Sequence, residues 1–111
     1  MSGVPEEATL LRIFLGESDR HGGQPSYEAI VLAARAHGLA GATVLRGPMG
    51  YGASSHLHTA KILRLSADLP MVIEIVDAEA KIQGFLPQLD TLLGSGLVTL
   101  EKVRVLQYGR K

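Results

Sequence analysis

Apolar residues recur along the chain with two periods, one typical of strands and one typical of helices. Short apolar or alternating runs predict four strands, at residues 8–15, 42–46, 69–76 and 98–108. The run at 69–76 is the clearest of them, and apolar side chains occupy both of its faces. Both faces of the sheet around this strand therefore need a cover.

Helical spacing of apolar residues marks two further segments, each bounded by residues typical of helix ends. The first runs from Pro25 to His37 and ends at a glycine that suits a left-handed cap. The second begins after Asp77, a good N-cap residue, and ends at the glycines of 94–96. Pro87 lies inside the second helix and predicts a bend within it rather than two separate helices.

The predicted order is strand, helix, strand, strand, helix, strand, which is the split βαβ order of ferredoxin-like domains. This order predicts an α+β fold in which a four-stranded antiparallel sheet carries both helices on one face. The other face is left bare, and the apolar character of 69–76 predicts that further copies of the chain cover it. We therefore expect a homo-oligomer in which residues 1–111 form a single domain.

Composition narrows the classes of function. The 111 residues include 11 basic and 11 acidic side chains, and this formal net charge of zero disfavours nucleic acid as a partner. The chain has no cysteine, which excludes disulfides, thiolate zinc sites and a thiol nucleophile. Apolar stretches stay shorter than the roughly 18 residues of a membrane span, and acidic residues stand where a signal peptide needs basic ones. We expect a cytoplasmic protein that does not insert into a membrane.

Several stretches resemble a known family. They are GATVLRGPMGYG at 41–52, HTAKILRLSADLPMVIEIVD at 58–77, GESD after the first strand and YEAIV in the first helix. They resemble the uncharacterised bacterial family called domain of unknown function 190, over almost the whole chain. That family is PII-like, and PII nitrogen-regulatory proteins are homotrimers of ferredoxin-like subunits that bind effectors, usually adenine nucleotides, in clefts between subunits. The resemblance therefore implies a homotrimer with an adenine nucleotide as effector.

The resemblance also implies where the ligand binds. Gly50 and Gly52 resemble the glycines at the nucleotide-facing bend that leads into the long PII T-loop. Thr43 and Glu74 are then expected to line the cleft, and residues 52–68 to form the mobile loop that contacts target proteins. Relatives often accompany genes for a fluoride-exporting membrane channel, which implies a membrane transport protein as the partner.

Three departures from the PII pattern weaken or rebuild the implied phosphate site. The stretch between the second strand and its glycines is one residue longer than usual and contains Pro48. The lysine expected after the second helix is missing from residues 94–99. The arginine pair of the last strand is represented only by Arg104 and Arg110. A ligand other than ATP is therefore compatible with the sequence.

The residue types themselves offer an anion site. Glycines around Tyr51 let the backbone approach a phosphate or a ring, or else form an ordinary turn anchored by the tyrosine. Four basic side chains bind an anion if they converge and are solvated surface if they do not: Arg46, Lys61, Arg64 and Arg104. The candidate ligand-binding residues are Thr43, Arg46, Gly47, Gly50, Tyr51, Gly52, Glu74 and Arg104.

Two histidines offer an alternative function, a metal-binding module that resembles the copper-tolerance CutA-type trimers. His56 and His58 are two residues apart, so both imidazoles point the same way if the segment is extended. Because the sequence nearby supplies no third ligand, two solvated loop histidines are the simpler interpretation.

An acid, a hydroxyl and a base fall within residues 17–21, but neighbours in sequence do not make a catalytic triad. The alternatives are a loop that caps the first helix or docks on a neighbouring subunit, and a cation site at Glu17 and Asp19. Because no catalytic motif stands out, we expect a sensor rather than an enzyme. It would bind a small effector between subunits and regulate a partner through residues 52–68.

Overall fold

An antiparallel sheet and two helices form the body of the molecule. The structure, a computed structural model, describes residues 3–53, 56–59 and 68–109, with only the backbone of His58. In chain order the elements are β1 (Glu7–Gly16), β2 (Arg20–His21), β3 (Gln24–Pro25), α1 (Ser26–His37), β4 (Thr43–Arg46), β5 (Met49–Gly50), β6 (His58–Thr59), β7 (Pro70–Asp77), α2 (Glu79–Leu92) and β8 (Leu97–Arg104).

The central sheet has four strands in the spatial order β4-β7-β1-β8, and every neighbouring pair is antiparallel. Ile13 in β1 lies opposite Ile73 of β7 on one side and Val98 of β8 on the other. This is the ferredoxin-like α+β arrangement, so the fold predicted from the sequence is confirmed. The two outer strands, β4 and β8, pair on one side only.

A single apolar cluster joins one face of the sheet to both helices. Strand alternation places every second side chain of β1 and β7 on this face, and the helices cover it with their apolar stripes. The buried members are Leu11, Ile13, Leu15, Ile30, Ala34, Leu39, Met71, Ile73, Ile75, Ile82, Phe85 and Leu89. No helix of the described residues covers the opposite face, which is called the open face below.

The helix ends agree with the sequence at three points and differ at one. Pro25 is the N-cap residue of α1, and Gly38 ends that helix with φ of 90°, the left-handed conformation that glycine adopts readily. Pro87 lies inside α2, which remains one helix. Asp77 does not cap α2: the N-cap residue is Ala78, and Asp77 is the buried last residue of β7.

The carboxylate of Asp77 has a different task from the predicted one. It accepts hydrogen bonds from the backbone N–H groups of Ala40 at 2.9 Å and Ala78 at 2.7 Å. Lys81 Nζ lies 3.8 Å from the same carboxylate. Asp77 therefore links the loop after α1 to the junction between β7 and α2.

The prediction that the last strand reaches residue 108 is wrong, because β8 ends at Arg104. The final backbone bond runs from Val105 N–H to the Glu6 carbonyl at 2.7 Å. Beyond it the chain crosses the end of the sheet, and Tyr108 Oη donates to the Ala40 carbonyl at 2.7 Å.

Two short ladders were not predicted. β2 pairs with β3 in the loop before α1, and β5 pairs with β6, with Gly50 opposite His58.

Both helices of the described ranges are too short or too polar to cross a membrane.

Candidate functional site

One end of the sheet gathers the last residues of β1 and β4 and the first residue of β7. Gly47 follows β4 directly, and its N–H donates to the Pro70 carbonyl at 2.8 Å. A Cβ on Gly47 or on Gly50 would lie 3.1 Å from Cγ of Pro70. A side chain at either position would thus be in tight contact with the proline ring, which would have to shift by a few tenths of an ångström.

Tyr51 and Gly52 lie just beyond this contact and are open to solvent. Tyr51 is 71% exposed, so its ring does not anchor the turn, which was one of the two alternatives read from the sequence. A Cβ on Gly52 would meet no atom within 4 Å. The structure thus leaves the tyrosine ring and the backbone beside it accessible to a ligand.

The turn that follows β1 binds the chain that enters β7. Glu17 N–H donates to the Leu69 carbonyl at 2.8 Å, and Leu69 N–H donates to Glu17 Oε1 at 3.4 Å. Ser18 N–H donates to Asp68 Oδ1 at 3.0 Å, and Asp19 Oδ2 accepts from Gly16 N–H at 3.1 Å. Asp19 also accepts, through its carbonyl, a bond from the first residue of α1 at 2.7 Å. The turn therefore holds both α1 and the start of β7, which departs from a simple helix-capping loop.

Arg46 is the last residue of β4 and reaches across to this turn. Its Nη2 lies 3.5 Å from Glu17 Oε2. The guanidinium side chain is 59% exposed, whereas the Glu17 side chain is only 20% exposed. One basic group at this end of the sheet is therefore both held by a carboxylate and open to solvent.

Thr43 and Glu74 lie directly opposite each other on the open face, since they are paired residues of β4 and β7. Glu74 Oε2 accepts a hydrogen bond from Arg12 Nε at 2.9 Å, and Arg12 Nη1 lies 3.9 Å from Glu101. Each side chain of the closer pair is about one-third exposed. The first role that the structure shows for Glu74 is thus to pair with Arg12 at the centre of the open face.

Arg104 lies far from Arg46 within one copy of the chain. Arg46 pairs with Met71, which pairs with Leu15 of β1, whereas Arg104 pairs with Glu7 at the start of β1. Eight residues of strand separate these two positions on β1, which is roughly 26 Å. Arg104 Nε also contacts Glu6 Oε2 at 3.1 Å on the exposed edge. The two arginines do not converge within one chain.

The remaining sequence candidates fall partly outside the described residues. Lys61 and Arg64 lie outside them, as does the side chain of His58. His56 lies in the short stretch 56–59 that leads through β6. Among the side chains that the structure describes, no three histidine, aspartate or glutamate groups come together to hold a metal ion.

A row of apolar side chains crosses the open face next to the Arg12–Glu74 pair. The strand register places Leu45, Val72, Phe14 and Leu97 side by side, one from each strand. The two inner members are half-buried, and the two outer members, Leu45 and Leu97, are exposed. Exposed apolar surface of this kind is typical of a face that another protein chain covers.

Sequence comparison places the chain in a family. Residues 8–105 match DUF190, described as an uncharacterized ACR. The chain belongs to the DUF190 family. It is 41% identical over 97 residues to a UPF0166 protein of Aquifex aeolicus, covering 87% of this chain and 91% of that protein. A UPF0166 protein of Methanocaldococcus jannaschii is 36% identical over 100 residues, covering 89% and 92% respectively. The resemblance to this family is thereby confirmed.

Solved structures share the fold of this DUF190 chain. CPII, a nitrogen regulatory PII-like protein from Thiomonas intermedia K12 bound to ADP, AMP and bicarbonate, superposes with a TM-score of 0.64. The match covers 91% of this chain and 90% of CPII at 18% sequence identity. A second CPII structure, bound to ADP and bicarbonate, gives a TM-score of 0.62. The PII-like architecture of the chain is therefore shown.

Two residues that organise the site, Arg12 and Pro70, were not among the residues predicted from the sequence. Arg12 is the one charge within an otherwise apolar run, and a lone charge in a buried strand signals that a partner is needed, though not which one. Pro70 is the residue against which both site glycines pack. No local pattern connects Pro70 to Gly47, because the contact depends on the pairing of β4 with β7.

Proposed function

We propose that this protein is a PII-like sensor that binds an adenine nucleotide between subunits and acts by binding a partner rather than by catalysis. The supporting observation is the shared fold, which extends over 91% of the chain and 90% of CPII, a protein that binds ADP and AMP. Membership of DUF190 is consistent with this proposal but names no ligand.

The proposed nucleotide site lies where β4 ends. Gly47 and Gly50 bring the backbone close to Pro70, Tyr51 offers an exposed ring to stack on a base, and Arg46 offers a cation to a phosphate. Thr43 and Gly52 border this region on either side along the chain. A planar base and an anionic phosphate chain are the two chemical features that such a set of groups can recognise.

A second copy is needed to complete the site in this proposal. Arg104 lies roughly 26 Å along the sheet from Arg46, so both can contact one nucleotide only if they come from different copies. The apolar row of Leu45, Val72, Phe14 and Leu97 supplies a face on which copies can pack. We propose a homotrimer with its sites at the clefts between subunits.

Regulation is assigned in this proposal to residues 52–68, of which 54, 55 and 60–67 lie outside the described residues; Gly52 directly follows Tyr51 of the proposed site. We propose that this segment contacts a partner, a membrane transport protein, and that the sensor works in the cytoplasm. A nucleotide changes partner binding only if it has different affinities for the partner-competent and partner-incompetent conformations.

The proposal is tested by thermal unfolding and calorimetry with ADP, AMP, ATP and bicarbonate, and native mass spectrometry of the same samples. A nucleotide at about 100 times its dissociation constant stabilises the folded state by roughly 2.7 kcal/mol, which raises the midpoint by several degrees. Zinc and copper salts are added in parallel experiments to test the alternative that the protein binds a metal. A shift with a metal but with no nucleotide, or a monomer in the mass spectrum, contradicts the proposal.

A further inference from the structure

Glu17 connects three strand ends through one side chain. Its Oε1 accepts from Leu69 N–H, next to the start of β7, and its Oε2 lies 3.5 Å from Arg46 at the end of β4. Its own backbone N–H is bonded to the Leu69 carbonyl, which fixes the residue where β1 ends. The carboxylate is thus held in place from one side and presented to Arg46 from the other.

The turn that carries Glu17 holds two further carboxylates. A Cβ placed on Gly16 would lie 2.8 Å from Asp68 Oδ1 and 3.3 Å from Asp19 Oδ1, so two more carboxylates converge on the turn that carries Glu17. An anion that approaches the exposed guanidinium therefore meets a basic group that already has a carboxylate partner. An anion that binds there competes with the Glu17 carboxylate for the guanidinium.

We propose that Glu17 is an internal competitor that occupies Arg46 until an anionic ligand displaces it. This inference rests on the proposed function, because it places the nucleotide phosphate at Arg46. Displacement removes one of the two contacts of the Glu17 carboxylate, and that carboxylate also holds Leu69. Occupation of the anion site is thereby transmitted to the residue that precedes β7. Glu17 acts through Arg46 and Leu69, so it is a positioning residue and not a ligand-binding one.

The decisive variant is Glu17→Gln, because glutamine keeps an Oε1 acceptor for Leu69 N–H and removes the negative charge opposite Arg46. We expect ADP and inorganic phosphate to bind roughly two- to fivefold more tightly to E17Q than to the unmodified protein, the range set by an exposed ion pair. The gain should shrink with added salt, which screens the displaced pair. Calorimetric titration of both anions measures the change.

Two further variants separate competition from a general effect of charge. In R46Q the additional change E17Q should give no gain, so the double-mutant cycle shows coupling between the two positions. Asp90→Asn removes an exposed acid on α2 and should leave affinity unchanged. Tighter binding of E17Q in the R46Q background, or an equal gain in D90N, overturns the proposal.

A measurement on the unmodified protein covers the case in which E17Q folds poorly. Saturation with ADP should accelerate hydrogen exchange of the Leu69 amide, since its acceptor loses the Arg46 contact that helps to hold the carboxylate in place, and unchanged exchange contradicts the inference. If ADP binds but E17Q binds it no more tightly, the role of Glu17 fails and the proposed function stands. If no adenine nucleotide binds, the proposed function fails, and the phosphate titration alone decides whether Glu17 competes at Arg46.

Discussion

Gly96 lies close to the backbone of the neighbouring strand β1, where a side chain would collide with it. It stands just before β8, and a Cβ there would lie 2.5 Å from the backbone carbonyl oxygen of Phe14 in β1. Gly96→Ala should therefore lower the free energy of unfolding by about 1–3 kcal/mol, because strand backbone must move to admit the methyl group. Gly94→Ala is the matched control, since a Cβ at that position meets no atom within 4 Å. Equal urea midpoints for the two variants would contradict this explanation.

The hydrogen bonds that the Asp77 carboxylate accepts should stabilise the fold. Asp77→Ala removes a buried carboxylate and leaves the half-buried N–H groups of Ala40 and Ala78 without their acceptor, which should cost about 1–3 kcal/mol of stability. Asp77→Asn keeps one carbonyl oxygen and should cost less. Asp90→Ala removes an exposed acid near the C-terminal end of α2 and should be neutral or slightly stabilising. Thermal unfolding of the three variants ranks their stabilities. If D77A is as stable as the D90A control, the two hydrogen bonds of Asp77 do not stabilise the fold.

Elements were predicted well where their signal is local and poorly where it depends on a partner. The apolar stripes of α1 and α2 and the alternation of β7 are local, and all three elements appear with bounds close to those predicted. The alternation of 98–108 does not reveal where β8 ends, because that is set by its neighbour: Arg104 pairs with Glu7, the first residue of β1. A strand extends only as far as its neighbour supplies backbone hydrogen-bond partners, whatever the pattern of its own apolar residues.

Pro87 interrupts the backbone hydrogen bonding of α2, and its effect on stability can be measured. It lies on the exposed side of α2, so the Gln83 carbonyl that loses a helical donor can be hydrated. Pro87→Ala restores that donor and removes the ring, and we expect the protein to gain about 1–3 kcal/mol of stability. Gln88→Ala, at the next exposed position, should change stability by a few tenths of a kcal/mol. A destabilised P87A, measured by urea unfolding, would show that α2 depends on the shape that the proline imposes.

At the scale of the whole molecule, the candidate site depends on contacts that the sequence separates widely. Glu17 and Leu69 are 52 positions apart, and Arg12 and Glu74 are 62 apart. The resemblance to PII proteins predicts that Thr43 and Glu74 line the cleft, which stays a prediction, and the structure pairs them across β4 and β7. It did not predict that Glu74 pairs with Arg12, because the partner of a charged side chain on a sheet face follows from strand register and not from any local motif.

The distance between Arg46 and Arg104 makes the assembly itself testable. Arg46→Ala and Arg104→Ala should each weaken ADP binding if both arginines contact the nucleotide, and each should fold, because both side chains are largely exposed in surface ion pairs. Within one copy the two positions lie roughly 26 Å apart along the sheet, so each site must take one arginine from each of two neighbouring copies. Equal, random mixing of the two variants then restores both arginines in about one site in four, although neither variant alone has an intact site.

Calorimetry counts the restored sites, and native mass spectrometry confirms that the subunits have mixed. Mixed assemblies without any restored site would show that the two arginines do not serve one nucleotide, whereas restoration of about a quarter of the sites requires a cleft built from two subunits.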